Sequence, residues 1–132
     1  MIDLQRRNLA VVDTNVMVYD LISNSPYHDD ARRKLNSLER IVILPNILIE
    51  FILVLLRLNV DENIIKDKVI EIIENSVFVR VKKIDVIRAL ELSVKEVNDA
   101  ILVVVAKRLE LPVISYDSDV IEMCKRLGVK VI

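Results

Sequence analysis

Leu9-Ala-Val-Val-Asp13-Thr-Asn-Val-Met-Val-Tyr-Asp-Leu21 decides the fold. Its first four residues carry no polar side chain, so they cannot alternate between a wet and a dry face. A short unbroken apolar run of this kind reads as a strand buried on both sides, the kind found in parallel sheets covered by helices. Asp13 stops the run. Thr14 to Ile22 then reads as a helix, which Ser23-Asn-Ser-Pro26 breaks.

The same alternation continues outward. His28 to Leu38 predicts an amphipathic helix, with Ala31, Leu35 and Leu38 on one face. Ile41 to Leu44 is a second strand, ended by Pro45, and Asn46 to Leu58 a helix that is apolar on almost every side. From an Asp61 cap a further helix follows, its stripe formed by Ile64, Ile65, Val69, Ile72 and Ile73. Val77 to Val81 predicts a strand, Ile84 to Val94 and Asn98 to Leu109 two helices, and Pro112 to Ser115 a fourth strand. The last helix runs from Asp119 to Leu127, with Gly128 closing it and Val129 to Ile132 as a final strand. Strands alternating with helices predict an α/β fold, a central parallel sheet with helices on both faces. In such sheets ligands bind beyond the carboxyl ends of the strands.

Composition sets the outer bounds. The 132 residues fit one domain, 1–132, and with 53% hydrophobic residues they can bury a core. Met1-Ile-Asp-Leu-Gln-Arg-Arg7 lacks the apolar segment of a signal peptide, and the one cysteine, Cys124, suits a reducing compartment. No membrane association and a cytoplasmic location are expected. Net charge is −1, against a binder that relies on bulk positive charge. Setting aside Asp13, Glu50, Asp99, Asp117 and Asp119 leaves 15 of the 20 acids against 19 Lys and Arg. Basic runs recur at Arg6-Arg7, Arg32-Arg33-Lys34, Lys82-Lys83, Lys107-Arg108 and Lys125-Arg126. They read either as a solvated surface or as a basic rim that gathers phosphates.

Four acids stand where acids are not expected. Asp13 and Asp117 each follow a strand, Glu50 interrupts the apolar segment Ile47 to Leu56, and Asp99 opens the apolar helix that continues Ala-Ile-Leu-Val-Val-Val. Each has a local explanation. Asp13 can cap a helix, Asp99 can serve a helix dipole for roughly 0.3–1 kcal/mol, and Glu50 can pair with Arg57 or Lys107. Asp119 can be an N-cap answered by Glu122. Together they suggest a cluster of carboxylates, whose mutual repulsion a hard divalent cation such as Mg²⁺ or Mn²⁺ would relieve. Such a cation activates water and clamps phosphodiester oxygens. His28 reads as a solvated helix end and Cys124 as core. No Gly-rich phosphate loop or zinc spacing is present.

The ordered set Val-Val-Asp13-Thr-Asn15-Val, Pro45-Asn-Ile-Leu-Ile-Glu50, Asn98-Asp99-Ala100 and Leu111-Pro-Val-Ile-Ser115-Tyr-Asp117-Ser-Asp119 resembles the signature of PIN domains, closest to single-domain VapC-type toxins. The resemblance covers essentially the whole chain. It implies a three-layer α/β/α fold and a Mg²⁺- or Mn²⁺-dependent endoribonuclease that hydrolyses RNA, the toxin of a toxin–antitoxin pair with an antitoxin protein as partner. It also implies that Asp13, Glu50, Asp99 and Asp117 are catalytic metal ligands, with Asp119 a further candidate, and that Asn15 and Ser115 order the site. Two alternatives remain: a PIN-like scaffold that binds RNA or protein without cutting, and a Mg²⁺-dependent phosphohydrolase with Asp13 as nucleophile. The latter chemistry wants an acid two residues after the nucleophile, where Asn15 stands. The all-round apolar character of Ile47 to Leu58 implies either complete burial or a homodimer contact.

Overall fold

A computed structural model describes residues 8–132. The Arg6-Arg7 pair and the N-terminal segment read for a signal peptide lie outside the described residues. Four parallel strands, β1 (Leu9–Val12), β2 (Arg40–Ile43), β3 (Val77–Phe78) and β4 (Val113–Ile114), form one sheet in the order β3-β2-β1-β4. β1 is central, and all four of its residues are buried, as their lack of polar side chains requires.

Among the described residues seven helices connect and follow the strands: α1 (Thr14–Leu21), α2 (His28–Asn36), α3 (Pro45–Arg57), α4 (Glu62–Asn75), α5 (Lys83–Leu92), α6 (Val97–Leu109) and α7 (Ser118–Leu127). The chain steps β1-β2-β3 in one direction, then returns to the other side of β1 for β4. Right-handed crossovers therefore put α1–α4 on one face and α5–α7 on the other. The contacts follow: α1 packs on α2 and α3, α3 on α4, and α6 on α5 and α7. The predicted α/β/α layering is what the chain forms. The strand order reverses between β1 and β4, and that is where a doubly wound sheet opens its crevice.

Several expected boundaries move. The predicted strand 77–81 ends at Phe78, because beyond the bond from the Val79 N–H to the Ile43 carbonyl (2.9 Å) the edge strand has no further ladder partner. The expected strand 129–132 is a single parallel bridge, Val113 to Val131. Pro45 ends β2 but also opens α3, at a position where a helix has no use for an N–H. α3 buries Ile47, Leu48, Phe51 and Leu55, while Ile49, Leu53 and Leu56 stay exposed, so the helix is not wholly buried. In α4 the inward stripe is Ile65, Val69 and Ile72; Ile64 and Ile73 point to solvent. Asp61 caps α4 as expected, accepting from the N–H groups of Asn63 (2.7 Å) and Ile64 (3.4 Å). Gly128 closes α7 with φ 71°, the left-handed conformation that favours glycine. Among the described residues no helix is long and apolar enough to cross a membrane.

One polar contact fixes the second helical layer. Asp85 on α5 is fully buried and accepts two hydrogen bonds from Arg108 on α6, at 3.0 and 2.8 Å, plus one from the Lys82 N–H at 2.8 Å. Burial alone would raise the Asp85 carboxyl, but these bonds and the cations beside it hold it below the ordinary carboxylate value. Removing one partner would strand a buried charge. Arg108→Met is therefore expected to cost about 3 kcal/mol in chemical denaturation at pH 7. The depressed proton affinity of Asp85 means the contribution of the pair is present above about pH 4 and fades as pH falls through the folded-state value. The stability gap between wild type and Arg108→Met should accordingly narrow in acid, and a gap that does not change with pH would contradict the assignment.

Candidate active site at the sheet switch point

The pocket at the switch point follows from local chain chemistry. β1 ends at Val12, and Asp13 turns the chain into α1 as its N-cap, its Oδ1 accepting from the Thr14 N–H at 2.8 Å. Beyond β4, Ser115 donates its hydroxyl to Asp13 Oδ2 at 2.7 Å and accepts from the Asp117 N–H at 3.0 Å. Asn15 ties the same two strand ends together, its carboxamide oxygen accepting from the Tyr116 N–H at 3.2 Å. From α3, Glu50 reaches the Thr14 hydroxyl at 3.3 Å. From the first turn of α6 comes Asp99. Asn46, one turn before Glu50, donates to the Asn98 side chain at 3.2 Å and so ties α3 to the start of α6.

Asp13, Glu50, Asp99 and Asp117 line one pocket of about 250 Å³ together with Thr14, Asn15, Val18, Tyr19 and Val54. That lining contains no Lys, Arg or His. The expected alternatives for single acids resolve separately. Asp13 does cap a helix while facing the pocket. Glu50 is half-buried, and among the described residues no ion pair joins it to Arg57 or Lys107. Asp119 is not the N-cap of the last helix: Asp117 is, accepting from the N–H groups of Asp119 (2.8 Å) and Val120 (3.3 Å). Asp119 is exposed and outside the pocket lining.

Crowded carboxylates should hold their protons more tightly, and two of these do. Burial and then the charges of Asp13, Asp117, Glu50 and Glu96 push Asp99 up to about 7. Burial also raises Asp13, with Glu50 and Asp117 adding to the effect and the bonds from Ser115 and Thr14 opposing it. The other titratable candidates fall away. Cys124 is fully buried, and burial, followed by the Asp13 charge, pushes its thiol up to about 11. His28 is not a solvated end: its Nδ1 makes a 2.8 Å hydrogen bond with the Tyr19 carbonyl.

A family model for the PIN domain matches residues 10–126. The chain belongs to the PIN domain family. Comparison with curated protein sequences returns no match. Among solved structures, the fold is similar to VapC20 of Mycobacterium tuberculosis, a toxin that cleaves the sarcin-ricin loop (TM-score 0.74, 17% identity, 86% of this chain and 93% of that one). It is similar also to FitAcB of Neisseria gonorrhoeae (TM-score 0.73, 17% identity, 93% and 96%). A toxin–antitoxin complex from Klebsiella pneumoniae aligns with TM-score 0.65 at 17% identity, over 83% and 87% of the two chains. At such identity the likeness establishes the PIN fold, and the ordered acids are what this chain itself contributes.

The donor set of this PIN domain suits a hard divalent cation. All four acids offer oxygen, and among the described residues none has a basic partner in an ion pair. Among the described residues no three His, Cys, Asp or Glu side chains converge into a ready cage. Mg²⁺ does not need one, since it usually keeps several waters and takes only one or two carboxylates.

Thr14, Tyr19 and Asn46 were not singled out from the sequence. The signal for Tyr19 was present, because Asn15, Val18 and Tyr19 share one face of α1 by their i, i+3, i+4 spacing. The raised proton affinity of Asp99 fixes a pH dependence. In chelator, its favourable contribution is complete below about pH 4, the unfolded value, and is lost as pH rises through about 7. The melting temperature in EDTA should thus fall between pH 5.5 and 8, and Asp99→Asn should flatten that slope and melt higher at pH 8. A mutant that melts lower than wild type at pH 8, with the slope intact, would mean that Asp99 only serves the dipole of α6.

Proposed function

We propose that this PIN domain is a Mg²⁺- or Mn²⁺-dependent endoribonuclease, the toxin of a toxin–antitoxin pair. The observation that carries this reading is the meeting of Asp13, Glu50, Asp99 and Asp117 in one pocket, without a basic side chain, at the switch point of the sheet. These four acids would hold the cation, which when bound activates water and neutralises phosphodiester charge. Ser115 and Thr14 hold the Asp13 carboxylate in place, and Asn15 holds the loop that carries Asp117, so the donors are oriented before any cation or RNA arrives. The raised proton affinity of Asp99 makes it the group that releases a proton when positive charge enters. Exposed Asp119 has no part in this set.

An aspartyl-nucleophile phosphohydrolase is disfavoured, because that chemistry wants an acid two residues after the nucleophile, and Asn15 there cannot act as a general acid or base. A non-cutting scaffold would have no need for four unpaired carboxylates in one pocket. Wild type should cleave single-stranded RNA in Mn²⁺ and not in chelator. Asp13→Asn should lower the rate at least a hundredfold while melting within a few degrees of wild type. Asp61→Asn, whose new side chain still caps α4, should keep full activity. Equal cleavage by wild type and Asp13→Asn would refute the assignment.

Assembly belongs to the same proposal. Ile49, Leu53 and Leu56 form an exposed apolar row on α3 at i, i+4, i+7 spacing, 58%, 52% and 44% accessible. We place a two-fold homodimer contact on this row, with an antitoxin as a second protein partner. Light scattering at micromolar concentration should give twice the 15.2 kDa chain mass, and Leu53→Glu should halve it. Wild type at the chain mass would remove the dimer.

A further inference from the structure

The chain has three tyrosines and no tryptophan, and all three tyrosines meet at one edge of the acidic pocket. Tyr19 lines the pocket itself. Tyr27, from the turn before α2, stands 5.1 Å from it between ring centroids. Tyr116, between β4 and α7, stands 5.6 Å from Tyr19 and stacks on Tyr27 at 4.7 Å with 22° between the planes. A hydrophobic core does not require this. Tyr27 is 45% exposed, and the other two are half-buried.

Polar contacts hold the group although it lies near solvent. The Tyr116 hydroxyl donates to Asp30 at 2.5 Å, and His28 bonds the Tyr19 carbonyl. The Lys34 ammonium lies 5.0 Å from the Tyr116 ring centroid and 3.2 Å from Asp30. That lysine belongs to the Arg32-Arg33-Lys34 run, whose cations pair with Asp20 and Asp30.

An aromatic surface with a lysine over one ring, beside the acidic pocket, matches how proteins hold unpaired nucleotides. Bases stack on aromatic faces whatever their sequence, and lysine and arginine track the backbone. We propose that Tyr27, braced by Tyr19 and Tyr116, is a stacking platform for an unpaired base next to the scissile phosphate. The proposal rests on the endoribonuclease reading for its substrate, and Tyr27 acts as a positioning residue for that reaction.

With no tryptophan present, intrinsic tyrosine fluorescence reports on this cluster alone. The test titrates Asp13→Asn protein, which binds without turnover, with a mixed-sequence single-stranded oligoribonucleotide in Mg²⁺, and in parallel with an abasic chain of the same length and charge. The RNA should quench the emission to saturation and the abasic chain should not. Tyr27→Ala in the same background should weaken RNA binding about tenfold, the effect of one lost base stack, and Tyr27→Phe should stay within about twofold of the parent. In cleavage by otherwise wild-type protein, Tyr27→Ala should raise KM by a similar factor and leave kcat alone. Quenching by the abasic chain, or unchanged affinity in Tyr27→Ala with its melting temperature intact, overturns the platform. Failure of the nuclease reading would appear separately, as absence of cleavage by wild type in Mn²⁺, and leaves the quenching result decisive for stacking.

Discussion

The 2.7 Å hydrogen bond from the Ser115 hydroxyl to Asp13 joins two strand ends separated by 102 residues of chain. It lies at the switch point, where β1 and β4 run side by side and their following segments part to opposite faces of the sheet. Without it, Asp13 would be a helix cap among others. With it, the Asp13 carboxylate is held from both oxygens and faces Asp99, Glu50 and Asp117 in one small pocket. The same serine receives the Asp117 N–H, so one side chain sets two of the four acids.

Burying carboxylates and holding like charges together both cost stability, and both raise the proton affinities of Asp13 and Asp99, burial the more. The rest of the fold has to offset that cost. β1 and the inward rows of α3 and α6 supply a continuous apolar core, and the bidentate Arg108–Asp85 contact locks α5 to α6. In this sense the domain is stable around its site rather than because of it.

Much of this was legible in the sequence, for identifiable reasons. Leu9-Ala-Val-Val-Asp13 reads correctly because a strand buried on both faces leaves no polar residue to confuse the period. The helix caps at Asp61 and Gly128 read correctly because their chemistry is local. Errors arose where a long-range partner decides. The edge strand β3 and the 129–132 segment are shorter than their apolar runs because pairing, not composition, ends them. Asp119 reads as a cap because Glu122 stands three residues on, where a capping box wants it, and only the hydrogen bonds show that Asp117 is the cap instead. The tyrosine cluster was invisible, since residues 19, 27 and 116 meet only after the sheet has closed.

Direct binding of Mn²⁺ tests, without recourse to any substrate, the proposal that four pocket acids form a single cation site. Free Mn²⁺ can be followed by its electron paramagnetic resonance signal as protein is added. Wild type and Asp119→Asn should deplete that signal equally, and Glu50→Gln and Asp99→Asn should each weaken the depletion about tenfold or more at pH 8. Loss of Mn²⁺ binding in Asp119→Asn, or undiminished binding in Glu50→Gln and Asp99→Asn, would contradict it.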